Sequence, residues 1–315
     1  MRDVFPALPL AMLAGILLDR LLGEARRFHP LVGFGTLADR VELVLRCGAP
    51  GHPLFNRMNG LLGWLLLVAP VVALAVFCQR QAWGWAVDVA LLYFALGTRS
   101  LMQHGAQVAH DLAAGDLASA RMHASWMVSR DTSALDEEGI ARAAVESVLE
   151  NGNDAVFGTL FWFCVAGGAG ALLYRLANTL DAMWGYQDAR RIYFGWAAAR
   201  IDDALNLVPA RLTALTYAVL GDTRMALNCW RTQAQAWSSP NAGPVIAAGA
   251  GAIGARLGGA AMYHGAQEMR PKVGAGSTAN LAHIHHALAL VKRGQWLWLG
   301  VVAAVTVLAR VIEHA

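Results

Sequence analysis

Uncharged apolar stretches alternate along the chain with short polar segments, and several are as long as a bilayer core is thick. A membrane helix needs about 20 apolar residues. Residues 60–78, GLLGWLLLVAPVVALAVFC, carry no charge and predict a span. Pro70 lies inside it, which a membrane helix tolerates where neighbours satisfy the released carbonyl. Residues 296–309, WLWLGVVAAVTVLA, open on tryptophans suited to the interface and end at Arg310, which can snorkel. Residues 82–98 predict a third span that contains Asp88. An acid there is costly and should face the helix interior. Residues 4–18 meet Asp19-Arg20 without a small-residue cleavage site, so they read as an uncleaved first helix.

Two further segments are ambiguous between spanning and re-entering. Residues 155–174, AVFGTLFWFCVAGGAGALLY, are free of charge, but Gly167, Gly168 and Gly170 can break a helix. Residues 207–220 are short and contain Arg211. The positive-inside rule puts residues 19–59, with Arg20, Arg26, Arg27, Arg40, Arg46 and Arg57, on the cytoplasmic side of the inner membrane. It also favours the cytoplasmic side for 175–203. Residues 242–260 are rich in small residues, and Gly254-x-x-x-Gly258 suits either a close helix contact or a loop. No strand alternation or internal repeat is visible. The expectation is one all-α, polytopic membrane domain over residues 1–315, with polar helices and loops facing the cytoplasm.

Composition agrees with lipid as solvent. Of 315 residues, 57% are hydrophobic and 15% charged, against about 25% charged in soluble domains. The net charge of +3 is too small to suggest a nucleic-acid partner. Lys272 and Lys292 are the only lysines, so the cations are mainly arginines, which pair bidentately with phosphate and carboxylate. Cys47, Cys78, Cys164 and Cys229 lack the spacing of a disulfide framework or a zinc site. No P-loop, dinucleotide fingerprint or HExxH motif occurs.

The chemistry lies in the polar segments. His29 precedes Pro30 and is held in extended backbone, as a substrate or phosphate contact or as part of a lipid-facing basic cluster. Ser133 and Asp136 have capping-box spacing, which predicts a helix from about 134 to 150 that stops at Asn151-Gly152. Arg130 near that helix start offers an anion site; simple capping is the plainer reading. Arg142, Glu146 and Glu150 repeat at i, i+4, i+8 and share a helix face. They form either a solvated ion-pair stripe or, with Asp154, a set of oxygens for magnesium and a nucleotide. Asn178, Asp181 and Tyr186 mix polar and aromatic character between apolar segments. Ser238-Ser239-Pro240-Asn241-Ala242-Gly243-Pro244 is a turn cluster by composition, suited to phosphate or an amide. His283, His285 and His286 lack helical metal-pair spacing and read as surface.

In order along residues 15 to 290, these segments resemble the CobD/CbiB family of adenosylcobinamide-phosphate synthases. The resemblance is carried by Phe28-His29-Pro30, Ser129-Arg130-Asp131-Thr132, Glu146 to Asp154, Asn178 to Tyr186, Asp202-Asp203, Ser239 to Gly243 and Tyr263-His264-Gly265. It implies ATP-dependent amide formation between adenosylcobyric acid and (R)-1-aminopropan-2-ol O-phosphate, or the free aminopropanol, in cobalamin biosynthesis. On that reading Arg130 stabilises phosphate and Glu146, Glu150 and Asp154 hold Mg2+. Asp131 or His29 is the base, and Asn178, Asp181, Tyr186, Ser239 and Asn241 bind substrate. Partners would be membrane lipid, further copies of the chain or late cobalamin-pathway enzymes. Two other readings stay open: a non-catalytic membrane regulatory protein and a corrinoid transporter.

Overall fold

The computed structural model describes residues 4–24, 30–46, 52–185, 191–263 and 266–314. The chain is predominantly helical. Its helices are α1 (Val4–Leu22), α2 (Pro30–Arg46), α3 (Pro53–Gln79), α4 (Gly84–Ala95), α5 (Thr98–Ala113), α6 (Leu117–Ser125), α7 (Glu137–Gly152), α8 (Gly158–Trp184), α9 (Trp196–Leu220), α10 (Thr223–Gln233), α11 (Ala242–Ile253) and α12 (Leu281–His314). Among the described residues, four helical stretches are long and apolar enough to cross a membrane: Pro53–Gln79, Gly84–Ala113, Glu137–Trp184 and Leu281–His314. Their outward side chains are apolar. Leu62, Leu65, Leu66, Leu74 and Phe77 of α3 are exposed, as are Val301, Val305, Leu308 and Ile312 of α12. Only 11% of the apolar window of α12 is buried, so that helix needs an apolar solvent.

The chain divides into two compact units: residues 1–96, 158–206 and 302–315 form one, and residues 97–157 and 207–301 the other. In the first, Trp64, Leu67 and Val68 of α3 pack with Leu172, Leu176, Leu180 and Trp184 of α8 and with Phe194. Gly60 allows that approach, because a Cβ there would stand 1.9 Å from the Phe194 carbonyl oxygen.

The segment around α8 doubles back on itself. Ala166 (φ −140°, ψ 22°) and Gly167 (φ 63°, ψ −155°) leave helical geometry. Sixteen residues of straight helix would separate Gly158 from Tyr174 by about 24 Å. Instead, a Cβ on Gly158 would lie 2.2 Å from the Tyr174 hydroxyl. Gly167 supplies the positive φ that the reversal requires. Asp88 of α4 stabilises it: its Oδ1 accepts from the Gly168 N–H at 2.7 Å and from Gln79 Nε2. The in-span acid therefore caps the start of the returning arm, where backbone donors lack helical partners.

The second unit contains a small sheet that the sequence pattern did not announce. β1 (Ala255–Tyr263) runs antiparallel to β2 (Ala266–Gly274) and parallel to β3 (Ser277–Thr278). Gly254 ends α11 in the left-handed conformation (φ 70°). Gly258 (φ 81°) lies in a bulge between Leu257 and Gly259. The Gly254-x-x-x-Gly258 pair is thus a helix stop followed by a strand bulge, and no helix contact. His283, expected at the surface, is buried. Its Nδ1 accepts from the Asn280 N–H (3.2 Å) while Asn280 Oδ1 accepts from the His283 N–H (3.4 Å), closing the start of α12.

Candidate functional site

α7 is where the polar chemistry of the second unit gathers. Its N-cap is Asp136, whose side chain accepts from the Gly139 N–H at 2.8 Å; Ser133, expected in that place, lies one turn too early. Asp131 forms a side-chain turn instead. Its Oδ1 accepts from the Ser133 N–H at 2.8 Å, and its own N–H donates to the Met262 carbonyl at 2.9 Å. The Ser133 N–H holds the Asp131 carboxyl below its ordinary range. Gly152 does not stop the helix in a left-handed turn. α7 passes into a π-helical turn, Asn153–Phe157, and Gly152 is small because a Cβ would meet the Tyr217 hydroxyl at 2.3 Å and Val291 at 2.7 Å.

The inward face of α7 carries a buried carboxylate. Glu146, 2% exposed, receives Arg130 Nη2 at 2.5 Å and Arg270 Nη1 at 2.8 Å on Oε2. Its Oε1 receives the Gly258 N–H at 2.7 Å. The bulge in β1 frees that amide from the strand ladder, and the positive φ of Gly258 aims it at α7. Arg270 sits on β2, opposite Gly259, with its guanidinium 4.3 Å from the Trp237 ring centre. A carboxylate so buried is tolerable only with such charge-assisted partners. The i, i+4 stripe is accordingly an interior feature at Glu146, whereas Arg142 reaches back to Glu138 at 3.6 Å.

Around this cluster lies a cavity of about 130 Å³, lined by Ser129, Arg130, Glu146, Ser147, Glu150, Asn151, Arg270 and the backbone turn at Met127–Val128. Ser147 Oγ donates to the Met127 carbonyl at 2.8 Å, which pins that turn to α7. Asn151 Nδ2 donates to the Ser147 carbonyl (3.0 Å) and hydroxyl (3.1 Å), so its side-chain carbonyl remains for a ligand. Glu150, one turn beyond Glu146, presents its carboxylate at the wall.

The expected site residues fall into separate groups. Arg130, Glu146 and Glu150 share the cavity. Asp131 is on the adjoining turn. Asp154, expected with Glu146 and Glu150 on magnesium, instead accepts from Asn153 Nδ2 at 2.9 Å and does not line the cavity. Glu146 has spent its oxygens on two guanidinia and an amide. Among the described residues, no group of three or more His, Cys, Asp or Glu side chains is placed to hold a metal ion. Ser239 and Asn241 build the start of α11: Ser239 Oγ accepts from the Asn241 N–H (3.3 Å) and the Ala242 N–H (3.1 Å). Asn241 Oδ1 accepts from Arg211.

Asn178 and Asp181 belong to the first unit. There Asp202, 9% exposed, accepts from Asn206 (3.0 Å) and Asn178 (3.4 Å), and Tyr174 donates to Asn206 at 2.7 Å. Asp181 faces Asp202 and Asp203. His29 and Tyr186 lie outside the described residues. Sequence reasoning missed Arg270 and Gly258. The adjacent Gly258-Gly259 pair is the signal that could have marked the bulge; nothing in the sequence ties Arg270 to Glu146, 124 residues away.

The helices and the cavity together define a multi-pass helical membrane protein with a charged pocket between a helix and a small sheet. The CobD/Cbib protein family matches residues 12–291, and the chain belongs to that family. It is 58% identical over 291 residues to the Cobalamin biosynthesis protein CobD of Stutzerimonas stutzeri (strain A1501), covering 92% of this chain and 95% of the relative. Identity to the protein of that name from Chromobacterium violaceum is 54%, covering 97% and 98%. For Mycobacterium tuberculosis (strain ATCC 25618 / H37Rv) it is 38%, covering 89% and 90%. No solved structure matches.

Proposed function

We propose that the protein is the amide-forming ligase of cobalamin assembly, joining adenosylcobyric acid to (R)-1-aminopropan-2-ol O-phosphate or to free aminopropanol at the expense of ATP. The observation that carries this reading is the cavity where Arg130 and Arg270 converge beside Glu150, Ser147 and Asn151. A carboxylate does not acylate an amine in neutral water, because its oxygen is a poor leaving group. Phosphoryl transfer from ATP to the corrinoid carboxylate gives an acyl phosphate and ADP. The amine then attacks the acyl carbon, phosphate leaves, and the ammonium proton passes to a base.

The guanidinia are suited to charge that spreads over transferring phosphoryl oxygens. Glu146 holds both in place from behind, so their geometry is set before substrate arrives. With Glu150 ionised, two guanidinia face two carboxylates and the cavity has no net charge. A divalent cation held there would supply the positive surplus that a polyphosphate needs. Glu150 and the Asn151 carbonyl are hard oxygens of the type Mg2+ takes while keeping waters and phosphates as its other ligands. Magnesium would neutralise phosphate charge there. Asp131, held low by the Ser133 N–H, is poorly matched to accept a proton from an ammonium near neutral pH. His29 is the better candidate for the base.

A cavity of about 130 Å³ is small beside the pockets of about 300–1,000 Å³ that enclose drug-sized ligands. It suits a phosphate group and the reacting ends of the substrates, with the corrin ring outside. Asn178, Asp181, Tyr186, Ser239 and Asn241 remain proposed substrate contacts. The proposed setting is the inner membrane with the cavity open to the cytoplasm. The test is purified protein in detergent with adenosylcobyric acid, ATP, Mg2+ and each amine in turn. The expected products are the amide, ADP and phosphate. Folded protein that yields no amide with either amine overturns the reading.

A further inference from the structure

The second unit holds another group of polar and aromatic side chains that the reaction above leaves unused. It is built on α5 and α6. Asp111, near the end of α5, is 6% exposed. Its Oδ2 lies 2.5 Å from His123 Nδ1 on α6, and its Oδ1 accepts from Gln107 Nε2 at 3.0 Å. A carboxylate on Nδ1 fixes the imidazole's rotation and keeps its proton on that nitrogen. The lone pair is then on Nε2. Trp126, the first residue past α6, stands edge-on to the His123 ring at 4.7 Å and to the His104 ring at 6.0 Å. It is 60% exposed. The next residues, Met127 to Arg130, form the wall of the cavity.

We infer that His123 is an axial ligand for the cobalt of the corrinoid substrate, with Asp111 as its positioning residue and Trp126 as an apolar wall against the macrocycle. This rests on the corrinoid reading above. A corrinoid that has not yet received its nucleotide base carries water on the lower face of cobalt. Nε2 donates its lone pair to cobalt, the water leaves, the oxidation state is unchanged, and the Nδ1 proton stays on the Asp111 hydrogen bond. Imidazole is a suitable donor for a transition ion, and a carboxylate behind a ligating histidine fixes its tautomer and ring orientation. Docking beside Trp126 puts the ring outside the cavity and near its wall, as the cavity volume requires.

Spectroscopy tests this without ATP or amine. Adenosylcobyric acid added to the detergent-purified protein should shift in its visible spectrum from the water-ligated to the nitrogen-ligated form. His123→Ala should lose the shift, and added imidazole should restore it. Asp111→Asn should weaken corrinoid affinity about 10- to 100-fold. Should those variants fail to fold, the wild-type protein still decides whether a histidine of this chain ligates the cobalt. With the cob(II) form of the ligand, electron paramagnetic resonance should show the triplet splitting of one axial ¹⁴N, becoming a doublet in protein labelled with ¹⁵N-histidine. A wild-type spectrum that stays water-ligated, or a shift undiminished in His123→Ala, overturns the inference. Amide turnover with no spectral shift overturns it while leaving the ligase reading intact; a shift without turnover does the reverse.

Discussion

Two polar clusters are set into this apolar chain, and they solve the burial problem in opposite ways. In the second unit, one carboxylate, Glu146, is met by two guanidinia and a backbone amide. In the first, Asp202 is met by the amides of Asn178 and Asn206, and a phenol from Tyr174 supports Asn206. The former concentrates cations beside a cavity. The latter is rich in carboxylates, with Asp181 and Asp203 as further acids near Asp202. A pocket with two fixed guanidinia, balanced by Glu146 and Glu150, invites phosphate together with a divalent cation; a carboxylate- and amide-rich one invites groups that donate hydrogen bonds or carry positive charge, such as amides or an ammonium. The difference also separates support from chemistry. Glu146 is engaged by three donors and holds Arg130 and Arg270, while Glu150 is the further carboxylate lining the cavity.

That separation can be broken most directly at Glu146. Glu146→Ala leaves the buried Arg130 guanidinium, the half-buried Arg270 guanidinium and the Gly258 N–H without their acceptor. Breaking a buried ion pair from one side costs about 3–5 kcal/mol. Loss of monodisperse protein, or a large fall in thermal unfolding temperature in detergent, is expected. A variant as stable as the parent would mean that the cluster is not what orders β1 and β2 against α7.

Glu150 gives the complementary result. Glu150→Ala removes a wall carboxylate but no ion pair of the Glu146 cluster. Folded protein should be recovered in near-normal yield, and amide product should fall about 10²-fold or more, the size seen when a group that stabilises reacting charge is removed. Comparing thermal unfolding with turnover separates the roles. Near-normal turnover removes Glu150 from the mechanism.

How far the sequence reached can be judged from these same residues. Long uncharged runs declare their solvent, so the helical membrane character was legible from residues 60–78 and 296–309. The i, i+4, i+8 spacing put Glu146 and Glu150 on one helix face, and the placement of Arg130 with them came from the resemblance. Spacing along one helix says nothing of the third partner: Arg270 arrives through a strand pairing, and strand pairing is non-local. The sheet was hidden because β1, ARLGGAAMY, and β2, AQEMRPKVG, have little of the β-branched alternation that marks strands. Gly152 was misread as a helix stop because sequence cannot tell a glycine needed for positive φ from one needed for close packing. Asp88 was legible as an acid that must turn inward, but not as the cap on Gly168, since that requires the reversal at Gly167.

The carboxylate-rich cluster is open to a smaller perturbation through packing. A methyl group at position 158 would overlap the Tyr174 hydroxyl, 2.2 Å from the ideal Cβ. Gly158→Ala should therefore push Tyr174 off Asn206 and cost about 1–3 kcal/mol, the usual range for overpacking. Thermal unfolding measures the cost. An unchanged unfolding temperature would show that α8 need not double back as tightly as Gly158 and Tyr174 indicate.

The smallest expected effect isolates the hydrogen bond alone. Tyr174→Phe keeps the ring, which is fully buried, and removes the donor to Asn206 Oδ1 at 2.7 Å. Asn206 still donates to Asp202, so the lost bond is one link, worth about 1 kcal/mol with the acceptor left in place. Combined with Gly158→Ala, the two losses should be less than additive, because both remove the same contact. Full additivity in a double-mutant cycle would mean that Gly158 and the Tyr174 hydroxyl act independently. The phenol would then not be the link between the fold of α8 and the Asp202 cluster.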